Sequence, residues 1–151
     1  DHICLFRSFD MERNSSVGEA RARYTASVIA GTVMMISDDY GCPEARERTL
    51  RFCTDKEVNA VARSGVAFCP VSSGGGSASA AYTALINGRH YLAVFHWLEK
   101  EEETTVDLER AQLQPGTVWK ELWSKKTMQD EHGILRWNVC GCDAILLEEV
   151  K

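Results

Sequence analysis

Two hydrophobic patterns succeed one another along this chain, and the change falls near residue 66. Before it, short apolar runs alternate with segments of helical spacing. Ile3, Cys4, Leu5 and Phe6 form a run of strand length. Ser16 followed by Glu19 has the spacing of a capping box, and Ala22, Ala26 and Ile29 recur on one helical face, which predicts a helix to about Ala30 stopped by Gly31. Val33-Met34-Met35-Ile36 is apolar without alternation, the pattern of a strand buried on both faces of a parallel sheet. It ends in Ser37-Asp38-Asp39-Tyr40-Gly41. Pro43 suits the first turn of a helix through about Phe52, and Thr54 with Glu57 reads as a second capping box opening a helix to about Arg63.

After Gly65 strand signals take over. Val66 to Val71 reads as an apolar strand, and the Gly/Ser-rich stretch Ser72 to Ser79 as a flexible connection. Ala81 to Ile86 and His90 to Trp97 flank Asn87-Gly88, the dipeptide best suited to a type I′ hairpin turn. In the second arm Tyr91, Ala93 and Phe95 face one side and Leu92, Val94 and His96 the other. Thr104 to Leu108, Val118 to Trp123, Ile134 to Val139 and Ala144 to Val150 are further strands, separated by turn-forming segments, and their regular spacing predicts an antiparallel sandwich. The Glu99 to Glu103 cluster reads as a solvated loop. The expected fold class is α+β: two to three β/α units followed by an antiparallel β-sandwich.

Composition narrows the function. The 151 residues carry 44% apolar content and a net charge of −5, which excludes disorder and argues against a phosphate-binding surface, so nucleic acid is not an expected partner. No apolar stretch approaches the length of a membrane span. The start, Asp1-His2-Ile3, has neither an initiator Met nor the features of a signal peptide and reads as a fragment or processed chain. Of the six cysteines, Cys4, Cys42, Cys53, Cys69, Cys140 and Cys142, only Cys140 and Cys142 are close in sequence. No second pair completes a zinc site, and no cofactor is expected. A chain long enough to build a core without disulfide staples points to a reducing, cytoplasmic location.

A β/α segment with two strands cannot close a parallel sheet or cover its own apolar edges, so residues 1–65 are expected to belong to something larger. The order of an apolar strand, Ser37-Asp38-Asp39 at its C-terminal end, two short helices and a strand with Phe68 and Pro70 resembles the end of a melibiase-type glycoside hydrolase, the α-galactosidase and α-N-acetylgalactosaminidase group. Tyr91 to Trp97, Val106-Asp107-Leu108, Leu113-Gln114-Pro115-Gly116, Glu121-Leu122-Trp123-Ser124 and Asp143-Ala144-Ile145-Leu146-Leu147 resemble that family's C-terminal domain in order and spacing. His96 departs from it, since the family usually has Asn after this Phe.

The resemblance implies a division at residue 65: residues 1–65 as the terminal part of a (β/α)₈ barrel, its seventh and eighth strands with their helices, and 66–151 as the C-terminal sandwich. It also implies retaining hydrolysis by two Asp residues on barrel strands that this sequence lacks. The chain alone is therefore expected to be inactive, with the N-terminal barrel segment or a second chain as its partner and a carbohydrate as substrate. Barrel enzymes place function at the C-terminal ends of strands, where Asp38 and Asp39 lie. Asp39 matches an Asp that lines the sugar pocket in α-galactosidases, and Asp38 stands where many relatives have Asn. Adjacent carboxylates on a loop normally point apart, so they are not read as a catalytic pair. Asp39 equally suits a charge near the N-terminus of the helix opening at Pro43. Asp1 could match the acidic residue ending the seventh strand.

Other features point to no chemistry. The Gly74-Gly75-Gly76 run lacks the Lys-Ser/Thr and the helix of a phosphate loop, and no local signature ties His90 or His96 to a Cys nucleophile. Trp97, Trp119, Trp123 and Trp137 suit the sandwich core better than a sugar-stacking face. A non-catalytic carbohydrate-binding or structural β-sandwich module remains the alternative to an enzyme's C-terminal portion.

Overall fold

A computed structural model describes residues 2–7, 13–71 and 79–150, so Asp1 and the Gly-rich run from Ser72 through Gly76 lie outside the described residues. The element order is β1 (His2–Ile3), α1 (Val17–Ile29), β2 (Met35–Ile36), α2 (Pro43–Cys53), α3 (Lys56–Arg63), β3 (Cys69–Pro70), β4 (Ala81–Ile86), β5 (Arg89–His96), β6 (Glu102–Asp107), β7 (Val118–Glu121), β8 (Thr127–Gln129), β9 (Ile134–Val139) and β10 (Asp143–Val150). β1 and β2 pair in parallel across the α1 crossover. The remaining strands are antiparallel: a six-stranded sheet in the order β3-β4-β5-β10-β7-β8, and the pair β6-β9. The class is α+β.

The six-stranded sheet is covered on both faces. Ala93, Phe95, Ala144 and Leu146 pack against Tyr24, Val28, Phe52 and Val58 of the helices, whereas Leu92, Val94 and Leu147 pack against Val106, Leu108, Leu113 and Leu135. Period-two alternation along β5 and β10 thus builds two cores from one sheet, as the pleat requires. The β4-β5 hairpin turns at Asn87 and Gly88, with φ of 51° and 76°, as a type I′ turn demands. Trp119 is fully buried, Trp123 and Trp137 are partly buried, and Trp97 is exposed.

Local signals explain most helix ends. Ser16 caps α1 in a reciprocal box with Glu19, and Gly31, at φ 67°, approaches the backbone of residues 65–67 too closely for a Cβ. The N-cap of α3 differs from the reading of the sequence. Asp55, not Thr54, accepts the amide hydrogens of Glu57 and Val58, while the Thr54 hydroxyl donates back to the Leu50 carbonyl at the end of α2.

Four strands differ as well. Of the run from Val66 to Val71 only Cys69–Pro70 pairs, because Phe68 turns beneath α1 and donates its N–H to the Ile29 carbonyl at 2.9 Å. β6 begins at Glu102, inside the acidic cluster read as a loop. The three-residue strand β8 carries Met128 as its single apolar residue, too little to stand out as a strand. The residues around β2 are not buried on both faces: Val33 is 79% and Met35 53% exposed. β1 and β2 have only each other, and no described strand takes their outer edges.

The β/α part and the sandwich are tied by specific polar contacts. Arg21 on α1 makes two hydrogen bonds to Asp143, at 2.7 Å each. Glu57 on α3 pairs with both Lys120 and Lys125, and Trp123 donates its indole N–H to Thr25 at 3.0 Å.

Candidate functional site at the ends of the parallel strands

The C-terminal ends of β1 and β2 lead into two adjacent segments, residues 4–7 and 37–42, which are sewn together by backbone. Ser37 N–H donates to the Ile3 carbonyl at 2.9 Å, and Asp39 N–H to the Arg7 carbonyl at 2.8 Å. Asp38 lies between them with 7% of its surface exposed. Its Oδ2 accepts from Leu5 N–H at 2.9 Å, and its Oδ1 from Phe6 N–H at 2.7 Å and Arg7 N–H at 2.9 Å. The Cys4 thiol and the Thr49 hydroxyl add longer contacts at 3.3 and 3.4 Å. A buried carboxylate needs such donors, and here nearly all its acceptor capacity is met by the chain that it holds in place.

Asp39 points the other way. Its side chain is exposed, and Oδ1 accepts from Gly41 N–H at 3.0 Å in a turn that a Cβ at Gly41 would crowd. Its carbonyl accepts from Cys42 N–H at 3.0 Å, one residue before α2 begins at Pro43. Oδ2 of Asp39 has no partner among the described residues. The two neighbouring carboxylates thus have separate surroundings: Asp38 faces the backbone and Asp39 faces outward.

The loop is braced from its far side by Arg48 of α2. Its Nη1 donates to the carbonyls of Leu5 and Ser15, at 3.1 and 2.6 Å, and its guanidinium lies 4.8 Å from the centre of the Phe6 ring. Arg48, Phe6, Glu44, Glu47 and Arg51 line a cleft of about 250 Å³ that does not include Asp39. Reading the sequence missed Arg48 and Cys4 as parts of this arrangement, and no spacing could have flagged them, because Arg48 acts on backbone carbonyls and Cys4 meets Asp38 from 34 positions away. Burial and the adjacent Asp38 carboxylate push the Cys4 thiol up to about 11, so it is not a nucleophile at neutral pH.

The rest of the chemistry-bearing inventory lies apart from this loop. The six cysteines form no disulfide, and among the described residues no group of three His, Cys, Asp or Glu side chains could hold a metal. His96 places Nε2 at 2.8 Å from the Lys100 carbonyl in the β5–β6 connection. No described helix is long and apolar enough to cross a membrane. One outward carboxylate can accept hydrogen bonds from hydroxyls, but it cannot by itself run a hydrolysis that needs two.

Comparisons with known proteins bear on the fold. No family model and no curated protein sequence matches the chain. Among solved structures, a GH27 β-L-arabinopyranosidase from Geobacillus stearothermophilus superimposes with a TM-score of 0.77 at 21% identity, over 100% of this chain and 36% of that one. An α-galactosidase I from Mortierella vinacea gives 0.72 at 14% identity over 98% of this chain and 38% of its own. An isomalto-dextranase from Arthrobacter globiformis T6 gives 0.72 at 17% identity, with 90% and 24% covered. Their names differ in substrate, so what is shared at these identities is the fold. The chain has the fold of a segment of these glycosidases and spans about a third of the length of the first of them.

Proposed function

We propose that this chain is the C-terminal portion of an α-galactosidase-like retaining glycoside hydrolase acting on terminal α-galactosyl or α-N-acetylgalactosaminyl residues, with both catalytic carboxylates outside the chain. In this reading residues 1–65 complete a (β/α)₈ barrel and 66–151 form its C-terminal sandwich. The observation that carries it is the pair of parallel strands joined through α1, ending in a loop that presents Asp39 outward, and docked on an antiparallel sheet as one structure. A right-handed β/α succession with function at the strand ends is how barrel enzymes are built.

Retaining hydrolysis needs a nucleophile and an acid/base about 5 to 5.5 Å apart across the scissile bond. Asp39 takes neither role. It accepts a hydrogen bond from a sugar hydroxyl and so orients the ring toward carboxylates supplied by the rest of the barrel. Asp38 holds residues 5–7 in register with the Asp39 turn and is a positioning residue.

The test uses the protein at its natural length, purified from its own cells. Hydrolysis of nitrophenyl α-galactoside or α-N-acetylgalactosaminide is expected, and Asp39→Asn should lower kcat/KM by roughly 10- to 100-fold, the weight of a charge-assisted hydrogen bond. An intact mass equal to this chain alone, with no companion polypeptide and no hydrolysis, would sink the reading.

A further inference from the structure

We propose that Cys140 and Cys142, the two thiols of the β9–β10 turn, form a redox site that closes to a disulfide by exchange with a low-molecular-weight disulfide such as oxidised glutathione. The inference is independent of the glycosidase reading.

β9 ends at Val139 and β10 begins at Asp143, so Cys140, Gly141 and Cys142 are the whole connection between them. It passes from the β6-β9 pair to the six-stranded sheet. Backbone contacts hold it from two sides. Gly141 lies so close to Glu99 that a Cβ would overlap the Glu99 carbonyl, and Cys142 donates its N–H to the Leu98 carbonyl at 2.8 Å. The Cys142 carbonyl stands against Gly18 of α1, 3.0 Å from where a Cβ would sit. Cys142 itself has a φ of 49°. Side chains other than Asn, Asp and His seldom take that left-handed conformation, and residues held there against their preference cluster at functional sites.

The turn also places the two sulfurs for exchange. Residues two apart in an extended strand have Cα atoms about 6.8 Å from each other, the outer limit for a disulfide. Here the chain bends at Gly141 and Cys142, which shortens that separation. Cys140 is exposed, whereas Cys142 is partly buried with its Sγ 3.5 Å from the Trp97 carbonyl. Arg13, held in its charged form first by Glu19, is held also by Glu99 and the Cys142 thiolate, so a counter-charge stands beside the inner sulfur.

Cys140 is therefore the attacking thiol and Cys142 the resolving one. The Cys140 thiolate attacks one sulfur of oxidised glutathione, forming a mixed disulfide and releasing one glutathione thiolate. The Cys142 thiolate then attacks the Cys140 sulfur, closing the protein disulfide and releasing the second. Two electrons pass from the protein dithiol to glutathione disulfide, and the two thiol protons end on the two glutathione molecules. Exposed disulfides are the labile, regulatory kind, so the pair stays reduced in a reducing pool and closes as the pool becomes oxidised.

The test places the natural-length protein in glutathione buffers of rising oxidised fraction, followed by acid quench, alkylation, trypsin digestion and mass spectrometry. Cleavage after Arg136 and Lys151 gives a peptide that holds both thiols and no other cysteine. It should pass from the doubly alkylated form to one two hydrogens lighter than the free dithiol, carrying neither an alkyl group nor glutathione. A synthetic peptide of residues 137–151, which lacks the fixed bend, should need about a tenfold higher ratio of oxidised glutathione to the square of reduced glutathione at its midpoint, because the fold has already brought the thiols together. Cys142→Ser should trap one glutathione on Cys140. Two glutathiones or two alkyl groups on the native peptide at every ratio, a midpoint no lower in the folded protein than in the synthetic peptide, or a Cys140 that takes up no glutathione in Cys142→Ser would each overturn the proposal.

Discussion

Arg21 and Asp143, 122 positions apart, meet in a two-pronged ion pair with both hydrogen bonds at 2.7 Å. The pair joins the first half of α1 to the first residue of β10, so the β/α part and the sandwich are clamped where they touch. Asp143 is buried and also accepts from the N–H of Ala144 at 2.7 Å. Removing the arginine strands a carboxylate that water cannot reach freely. Arg21→Ala should therefore destabilise the chain by about 2 kcal/mol, less than for a fully buried pair because the arginine is partly solvated. Urea denaturation measures this, and a change within about 0.5 kcal/mol would place the clamp elsewhere.

The Asp38 nest makes a graded prediction. Asp38→Ala leaves the N–H groups of Leu5, Phe6 and Arg7 without their acceptor, for a loss of about 3 kcal/mol. Asp38→Asn keeps one oxygen for Phe6 and Arg7 but sets an amide N–H₂ against Leu5, for about 1–2 kcal/mol. Asp39→Ala, on the exposed side of the same loop, should shift stability by less than about 0.5 kcal/mol. Thermal melts of the three variants give the order, and amide NMR shifts at residues 5–7 should move for the Asp38 variants only.

Gly141 tests a close approach rather than a conformation. A Cβ there would overlap the backbone carbonyl of Glu99, which cannot rotate away as a flexible side chain would. Gly88, at φ 76° in the hairpin, has open space around it. Gly141→Ala should destabilise by more than about 2 kcal/mol and Gly88→Ala by about 1 kcal/mol, the strain of a left-handed residue. Chemical denaturation of the two variants side by side decides it, and equal losses would contradict the tight contact.

Acid should loosen the molecule at two identified carboxylates. The Arg13 guanidinium beside Glu19 is the main cause that lowers its carboxyl from the usual 4.5 to about 2, and Lys120, then Lys125, hold Glu57 below the usual range. Both groups have depressed values in the folded state, so their stabilisation is complete above about pH 4.5 and is lost as pH falls through the folded values. Arg13 is largely solvated, so water screens much of the Glu19 pair's contribution. Glu57→Gln should flatten the decline in stability between neutral pH and pH 3, and an unchanged slope would remove Glu57 from the account.

The parts of the fold that local chemistry dictates were readable in the sequence. The Ser16–Glu19 box, the Gly31 stop and the Asn87-Gly88 turn each need only a few adjacent residues, and each stands where the sequence puts it. At α3 two good capping residues are neighbours, and the sequence does not say that the Thr54 hydroxyl turns back to Leu50 and leaves the cap to Asp55. The acidic start of β6 hid a strand because an edge strand can carry charge outward. Val33 and Met35 have the pattern of buried residues but are exposed, since what would bury them is not among the described strands. The site was half legible. Asp38 and Asp39 stood out by their position after a strand, but the division of labour between them depends on backbone amides more than 30 residues earlier, and backbone groups leave no trace in a sequence.

The central claim is that this chain belongs to a glycosidase whose catalytic carboxylates lie elsewhere. A nitrophenyl α-galactoside assay run in parallel on the isolated 151 residues and on the natural-length protein tests it directly. We predict turnover by the natural-length protein and a rate indistinguishable from buffer for the isolated chain, and turnover by the isolated chain would contradict the account.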